Sequence, residues 1–159
     1  MSAKKPEVSL DYLLNALVDM GFLKQAQVDE VRAQTLRKGG VVEWLMKHGR
    51  LTEWQVTKAR AAQFGAEVIE DDKVVVAKNW RRRLPRSVGA KFFKERQVVP
   101  VQISAGGTRG VCKVALNDPS DLDTIDFLYH LTRMDIVVRV ASRPAIKNAL
   151  SKMRDRVGR

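Results

Sequence analysis

The chain has one cysteine, Cys112, and two histidines, His48 and His130, among 159 residues. A single cysteine excludes an internal disulfide framework, and its place in an apolar, strand-like run marks it as a buried, inert thiol. Neither histidine has a companion cysteine or acid at ligand spacing, which argues against a metal site. No G-x-x-x-x-G-K-[ST] loop occurs, so the phosphate cradle of an ATPase is missing. No serine stands in a G-x-S-x-G elbow. The glycines of SAGGTRG, residues 104–110, lack both a lysine and a following helix and read as a hairpin turn. No run approaches the roughly 20 apolar residues that span a bilayer, and MSAKKPEVS at the start has none of the apolar stretch of a signal peptide. The expectation is a cytoplasmic protein that is not an enzyme.

What the chain has in abundance is positive charge. Twenty-nine lysines and arginines stand against 18 acids, for a net charge of +11. Such an excess points to acidic partners: a protein face, a nucleotide, nucleic acid or an anionic membrane surface. The densest stretch is RRRLPRSVGAKFFKER, residues 81–96, with one acid, Glu95. Arg81, Arg82, Arg83, Arg86, Lys91 and Lys94 are its candidate partner-binding residues, with Phe92 and Phe93 turned inward. Asp118, Asp121, Asp123 and Asp126 match no calcium loop and suit the start of a helix.

The first third of the chain is a repeat. A shift of 28 residues lays Leu13 on Val41, Leu17 on Leu45, Gly21 on Gly49, Leu23 on Leu51, Gln27 on Gln55 and Arg32 on Arg60. Each copy reads as a helix, a glycine stop and a second helix. Arg37 to Gly40 form a basic connection, and Thr52 with Gln55 fits a capping box. Past Gly65 the period changes, and Glu67 to Ile69 reads as a short strand. A helix from Pro85, a hairpin of QVVPVQI and VCKVAL, a helix capped by Asp118 with Leu122, Ile125 and Leu128 inward, a strand at 136–140 and a helix capped by Ser142 follow. The fold class is therefore α+β: a tandem helical-hairpin repeat, then a small α/β sandwich with a three-stranded sheet under covering helices. The expected division is an arm at 1–7, a repeat subdomain at 8–65 and an α/β subdomain at 66–159.

The glycine-centred repeats, AAQFG, LPRSVGAKFFKERQVVPV and VALNDPSDLDTIDFLYHLTRMDIVVRVASRPAIKNAL together resemble one family. It is the N-terminal domain of type II secretion and type IV pilus assembly ATPases, the GspE/PilB/MshE N-terminal family, and the likeness runs from about Val8 to Met153. The resemblance implies a regulatory or adapter module that docks on a protein component of a secretion or pilus machine and is recruited through it to the inner membrane. In part of that family the domain binds cyclic di-GMP through two copies of a motif that opens Arg-Leu-Gly and closes on glutamine. On that resemblance the nucleotide candidates are Tyr12, Leu13, Leu14 and Gln34 in the first copy, and Gly40, Val41, Val42 and Gln63 in the second. The aliphatic and glycine frame is kept, while Tyr12-Leu13-Leu14 and Gly40-Val41-Val42 stand where the family has Arg-Leu-Gly. A protein-docking module is the first expectation, a cyclic di-GMP receptor the second, and a nucleic-acid-binding protein the third.

Overall fold

A computed structural model describes residues 6–34, 40–104 and 109–154, with the backbone alone for 6–11 and 34. The chain divides into two compact units, Met1–Gly65 and Ala66–Arg159.

The first unit contains α1 (Pro6–Asp19), α2 (Gln25–Gln34), α3 (Gly40–Lys47) and α4 (Glu53–Gln63). α1 begins at Pro6, inside the stretch read as an arm; residues 1–5 lie outside the described ones, as do Thr35 and Arg37 to Gly39 of the basic connection. Gly40 opens α3 rather than closing the connection. The 28-residue offset reappears in the hydrogen bonds. Gly21 N–H donates to Val18 O at 3.0 Å and Phe22 N–H to Leu17 O at 2.9 Å; Gly49 N–H donates to Met46 O at 3.1 Å and Arg50 N–H to Leu45 O at 2.8 Å. This paired closure needs a left-handed residue after the last turn, and Gly21 and Gly49 supply it at φ +81° and +72°. The core of the unit is aliphatic: Leu13, Leu14, Leu17 and Leu23 from copy one meet Val41, Val42, Leu45 and Leu51 from copy two.

The repeated glutamine proves to be a helix-start residue. Gln55 Oε1 accepts from Thr52 N–H at 3.0 Å while Thr52 Oγ1 accepts from Gln55 N–H at 3.1 Å, which completes the box. In the first copy Gln27 Oε1 accepts from Lys24 N–H at 2.8 Å. Lysine has no acceptor to return the bond, so that copy has half of the box.

The second unit is built on a four-stranded sheet in the order β1-β4-β3-β2, from β1 (Glu67–Val68), β2 (Val98–Ser104), β3 (Val111–Leu116) and β4 (Asp135–Val140). β2 and β3 are antiparallel, as their hairpin requires, although residues 105–108 of its turn lie outside the described ones. β3 and β4 are parallel and joined by α7 (Leu122–Thr132), the crossover that parallel pairing needs. The expected three strands become four because Glu67 and Val68 pair in parallel with Arg139 and Val140. This is the short strand read at 67–69, which joins the sheet as its fourth member.

Two helix starts in this unit differ from expectation, and one helix is additional. α6 runs Ala90–Arg96 and begins after Gly89, because Pro85 instead opens a turn closed by Val88 N–H to Pro85 O at 3.0 Å. A further helix, α5 (Trp80–Arg83), precedes it. α7 is capped by Asp121, whose Oδ1 accepts from Thr124 N–H at 3.3 Å; Asp118 is occupied by Ser120, N–H at 3.0 Å and Oγ at 2.6 Å. Leu122, in the first turn, is 63% exposed, while Thr124 and Leu128 face inward. α8 (Arg143–Ser151) is capped by Ser142 as its sequence requires, Oγ accepting from Ala145 N–H at 3.3 Å. Phe93 is fully buried at the centre of this unit, edge-on to Trp80 at 5.9 Å and to half-buried Phe92 at 5.4 Å.

Candidate functional site

The basic stretch is sorted by the turn at Pro85 into two short helices, and α8 runs past both. Between the segment 71–81 and the C-terminal half of α8 lies a hollow of about 540 Å³. Its floor is Val74, Ala77, Trp80, Ala149 and Met153, all buried, and its rim carries Lys78, Arg81, Lys152 and Arg154 with Asp71 and Asp72. A smaller hollow of about 390 Å³ lies between α6 and the same end of α8, lined by Ala90, Lys91, Lys94, Glu95, Met153 and Arg154. Met153 and Arg154 belong to both.

The walls are fixed by hydrogen bonds. Ala77 N–H donates to Pro100 O at 2.8 Å and Asn79 Nδ2 to Ile103 O at 3.1 Å, which lays the segment along β2. Ser142 Oγ donates to Asp71 Oδ1 at 2.9 Å, tying the other end of the segment to the start of α8. Arg81 Nη2 donates to Arg154 O at 2.6 Å across the mouth, and its guanidinium lies 5.3 Å from the Trp80 ring.

Of the six cations named from sequence, Arg81, Lys91 and Lys94 converge on Met153 and Arg154. Arg82, Arg83 and Arg86 are exposed but line neither hollow. Lys78, Lys152 and Arg154 were missed; the helical spacing of α8 from Ser142 places 152–154 at its end, yet gives no hint of which face they meet. The motif positions separate differently. Tyr12 is 61% exposed, whereas Leu13, Leu14, Val41 and Val42 are core residues, Leu14 at 1% and Val42 at 7%. Gly40 and Gln63 are half-buried, and the Gln34 side chain lies outside the described residues.

Other chemistry is sparse. Burial pushes the Cys112 thiol from 9.0 up to about 12. His48 Nδ1–H donates to Trp44 O at 2.9 Å and its ring stacks on Trp44 at 3.8 Å. Among the described residues no three of His, Cys, Asp and Glu come together as metal ligands, and no helix is long and apolar enough to cross a membrane.

Helical hairpins in tandem followed by a helix-covered sheet define an α+β chain whose second unit carries a basic, partly apolar trough. The MshEN domain model matches residues 64–159, which include the whole second unit. The chain belongs to the MshEN domain family. Its fold is similar to that of MshE in a structure with cdg (cyclic di-GMP), at TM-score 0.67 and 20% identity over 89% of this chain and 98% of that one. It is similar also to the N-terminal domain of XpsE, at TM-score 0.60 and 18% identity over 96% and 99%, and in a second crystal form at 0.52 and 20% over 97% and 100%. No curated protein sequence matches it.

Proposed function

We propose that the chain is a non-catalytic adapter that docks through its basic face on an acidic surface of a secretion or pilus machine component, and through that partner reaches the inner membrane. The observation that carries this reading is the convergence of Arg81, Lys91, Lys94, Lys152 and Arg154, from three separate stretches of sequence, around Met153. Long side chains over an apolar floor combine hydrophobic contact with charge steering, the usual division of labour at a docking surface. Membership of the MshEN family and the likeness to the XpsE N-terminal domain support the setting.

The test is the triple change Arg81→Glu, Lys91→Glu and Lys94→Glu. Co-precipitation of a pilus or secretion component is expected to be lost while the circular dichroism spectrum is unchanged; undiminished capture rejects the reading. Calorimetry separates the cyclic di-GMP receptor. Leu14 and Val42 fill the motif's glycine positions and are buried, and neither copy keeps the arginine. Two lost bonds to charged groups cost about 3–6 kcal/mol, or two to four decades of affinity. No heat is expected at high micromolar cyclic di-GMP.

A further inference from the structure

Two surface features of the second unit have complementary chemistry. One is the outward side of α7, where Leu122, Asp123, Asp126 and Phe127 are exposed at helical spacing. Phe127, 44% exposed, is held in place: it lies edge-on to Phe92 at 5.8 Å and under the Arg96 guanidinium at 5.1 Å. Arg96 Nη1 is itself tied to Thr124 Oγ1 at 3.2 Å. An exposed aromatic already fixed in orientation loses little side-chain entropy on binding. Asp123 and Asp126 form no ion pair with a described residue. This face therefore sets two carboxylates beside exposed apolar side chains, with the Arg96 guanidinium as its one bordering cation among these residues.

The other feature is the larger hollow, apolar in the floor and cationic at the rim. Lys78, Arg81, Lys152 and Arg154 outnumber Asp71 and Asp72, and the Asp71 carboxylate already accepts from Ser142. With the adjoining hollow, Lys91 and Lys94 join against Glu95, which makes six cations to three carboxylates. Lys78 and Lys152 form no ion pair with a described residue. Nothing about the rim fixes the geometry of a small ligand. Its lysines suit a surface bearing carboxylates beside a large apolar side chain, and α7 of another molecule is such a surface.

We infer that this unit associates with a second copy of the chain, α7 of one molecule seated over the hollow of the next. Phe127 and Leu122 cover the apolar floor, and Asp123 and Asp126 meet the cationic rim. The contact joins two different patches, so it propagates head to tail and ends in a ring or an open chain unless two molecules exchange it reciprocally. One helix face against a hollow of this size is a small interface, which places the association in the micromolar-to-millimolar range and makes it sensitive to salt. The inference does not depend on which protein the basic face docks. Because the hollow shares Arg81 and Arg154 with that face, self-association and partner docking exclude each other.

Sedimentation velocity of the full chain tests this, from about 10 µM to about 1 mM at low ionic strength. The weight-average mass should rise above the monomer with concentration and return to it at about 0.5 M salt. Asp123→Lys with Asp126→Lys, and separately Lys78→Glu with Lys152→Glu, should each remain monomeric, since each variant carries like charges on both patches. Mixing the two variants should restore association, because each then offers the other an opposite charge. A wild-type chain that stays monomeric to about 1 mM at low salt overturns the inference, whether or not it binds phosphatidylserine vesicles or a protein instead. Association that survives both reversals overturns it too. The α7 variant should still capture the partner of the basic face, which keeps a failure here separate from a failure there.

Discussion

The two units reach stability by opposite routes. The first repeats a local rule: a hairpin of helices closed at a glycine, started by a glutamine and packed on aliphatic side chains, then stated again 28 residues later. The second depends on partners far apart in sequence. β1 finds β4 some 70 residues on, Ser142 holds Asp71, and Trp80 packs on Phe93 within a core that also draws on the sheet and α8. Local rules survive as periodicity, and long-range ones do not. The repeat packs on equivalent aliphatic positions, while the second unit adds a concentration of rings, Trp80, Phe92 and Phe93, to its aliphatic core.

The largest expected effect tests that concentration. Phe93→Ala removes a fully buried ring with two edge-on aromatic neighbours and should destabilise the second unit by about 3–5 kcal/mol. Amide hydrogen exchange should accelerate across 66–154 and leave α1 to α4 unchanged; equal acceleration in both units would erase the contrast. A second test uses pH. Burial raises the folded Cys112 thiol to about 12 from 9.0, so the folded form holds its proton more tightly. Its contribution is complete below pH 9 and is withdrawn between 9 and 12, on the order of 4 kcal/mol in all. Cys112→Ala should flatten that alkaline loss, measured by chemical denaturation at pH 8 and near 11, and a wild-type unit equally stable at both would refute it.

The smallest effects sharpen the difference between the two copies of the repeat. Thr52→Ala deletes one bond of the complete box and should cost about 1 kcal/mol. Lys24→Thr offers the missing acceptor in the first copy and should gain up to about 1 kcal/mol. Denaturant midpoints at constant slope measure both, and equal shifts of one sign would mean that the starts of the two copies are not related as described.

Much of this architecture was legible because its causes are local. Gly21 and Gly49 mark the stops, Thr52-x-x-Gln55 marks a start, and VCKVAL shows its apolar run. Where two residues compete for one role, sequence chose wrongly. Asp118 and Asp121 both qualify as a cap, and Ser120 decides by occupying Asp118. Leu122, an expected core residue, stands in the first turn of α7 and is exposed. The basic site was half legible. Composition flags Arg81, Lys91 and Lys94, but their meeting with Lys152 and Arg154 depends on where α8 ends relative to two short helices, and no periodicity encodes that. At the repeat, motif spacing located the positions, and burial then assigned Leu13, Leu14, Val41 and Val42 to the core.

The stop at each glycine is sealed wholly within its own neighbourhood, from Leu17 to Leu23 and from Leu45 to Leu51. A module whose ends are closed by its own backbone can be copied in a gene without asking anything of the sequence around it. Its side chains are then free to differ, as Lys24 and Thr52 do, while both hairpins keep the same backbone closure. A closure of this kind, made twice from backbone alone, lets the side chains of one copy change without unsealing the other.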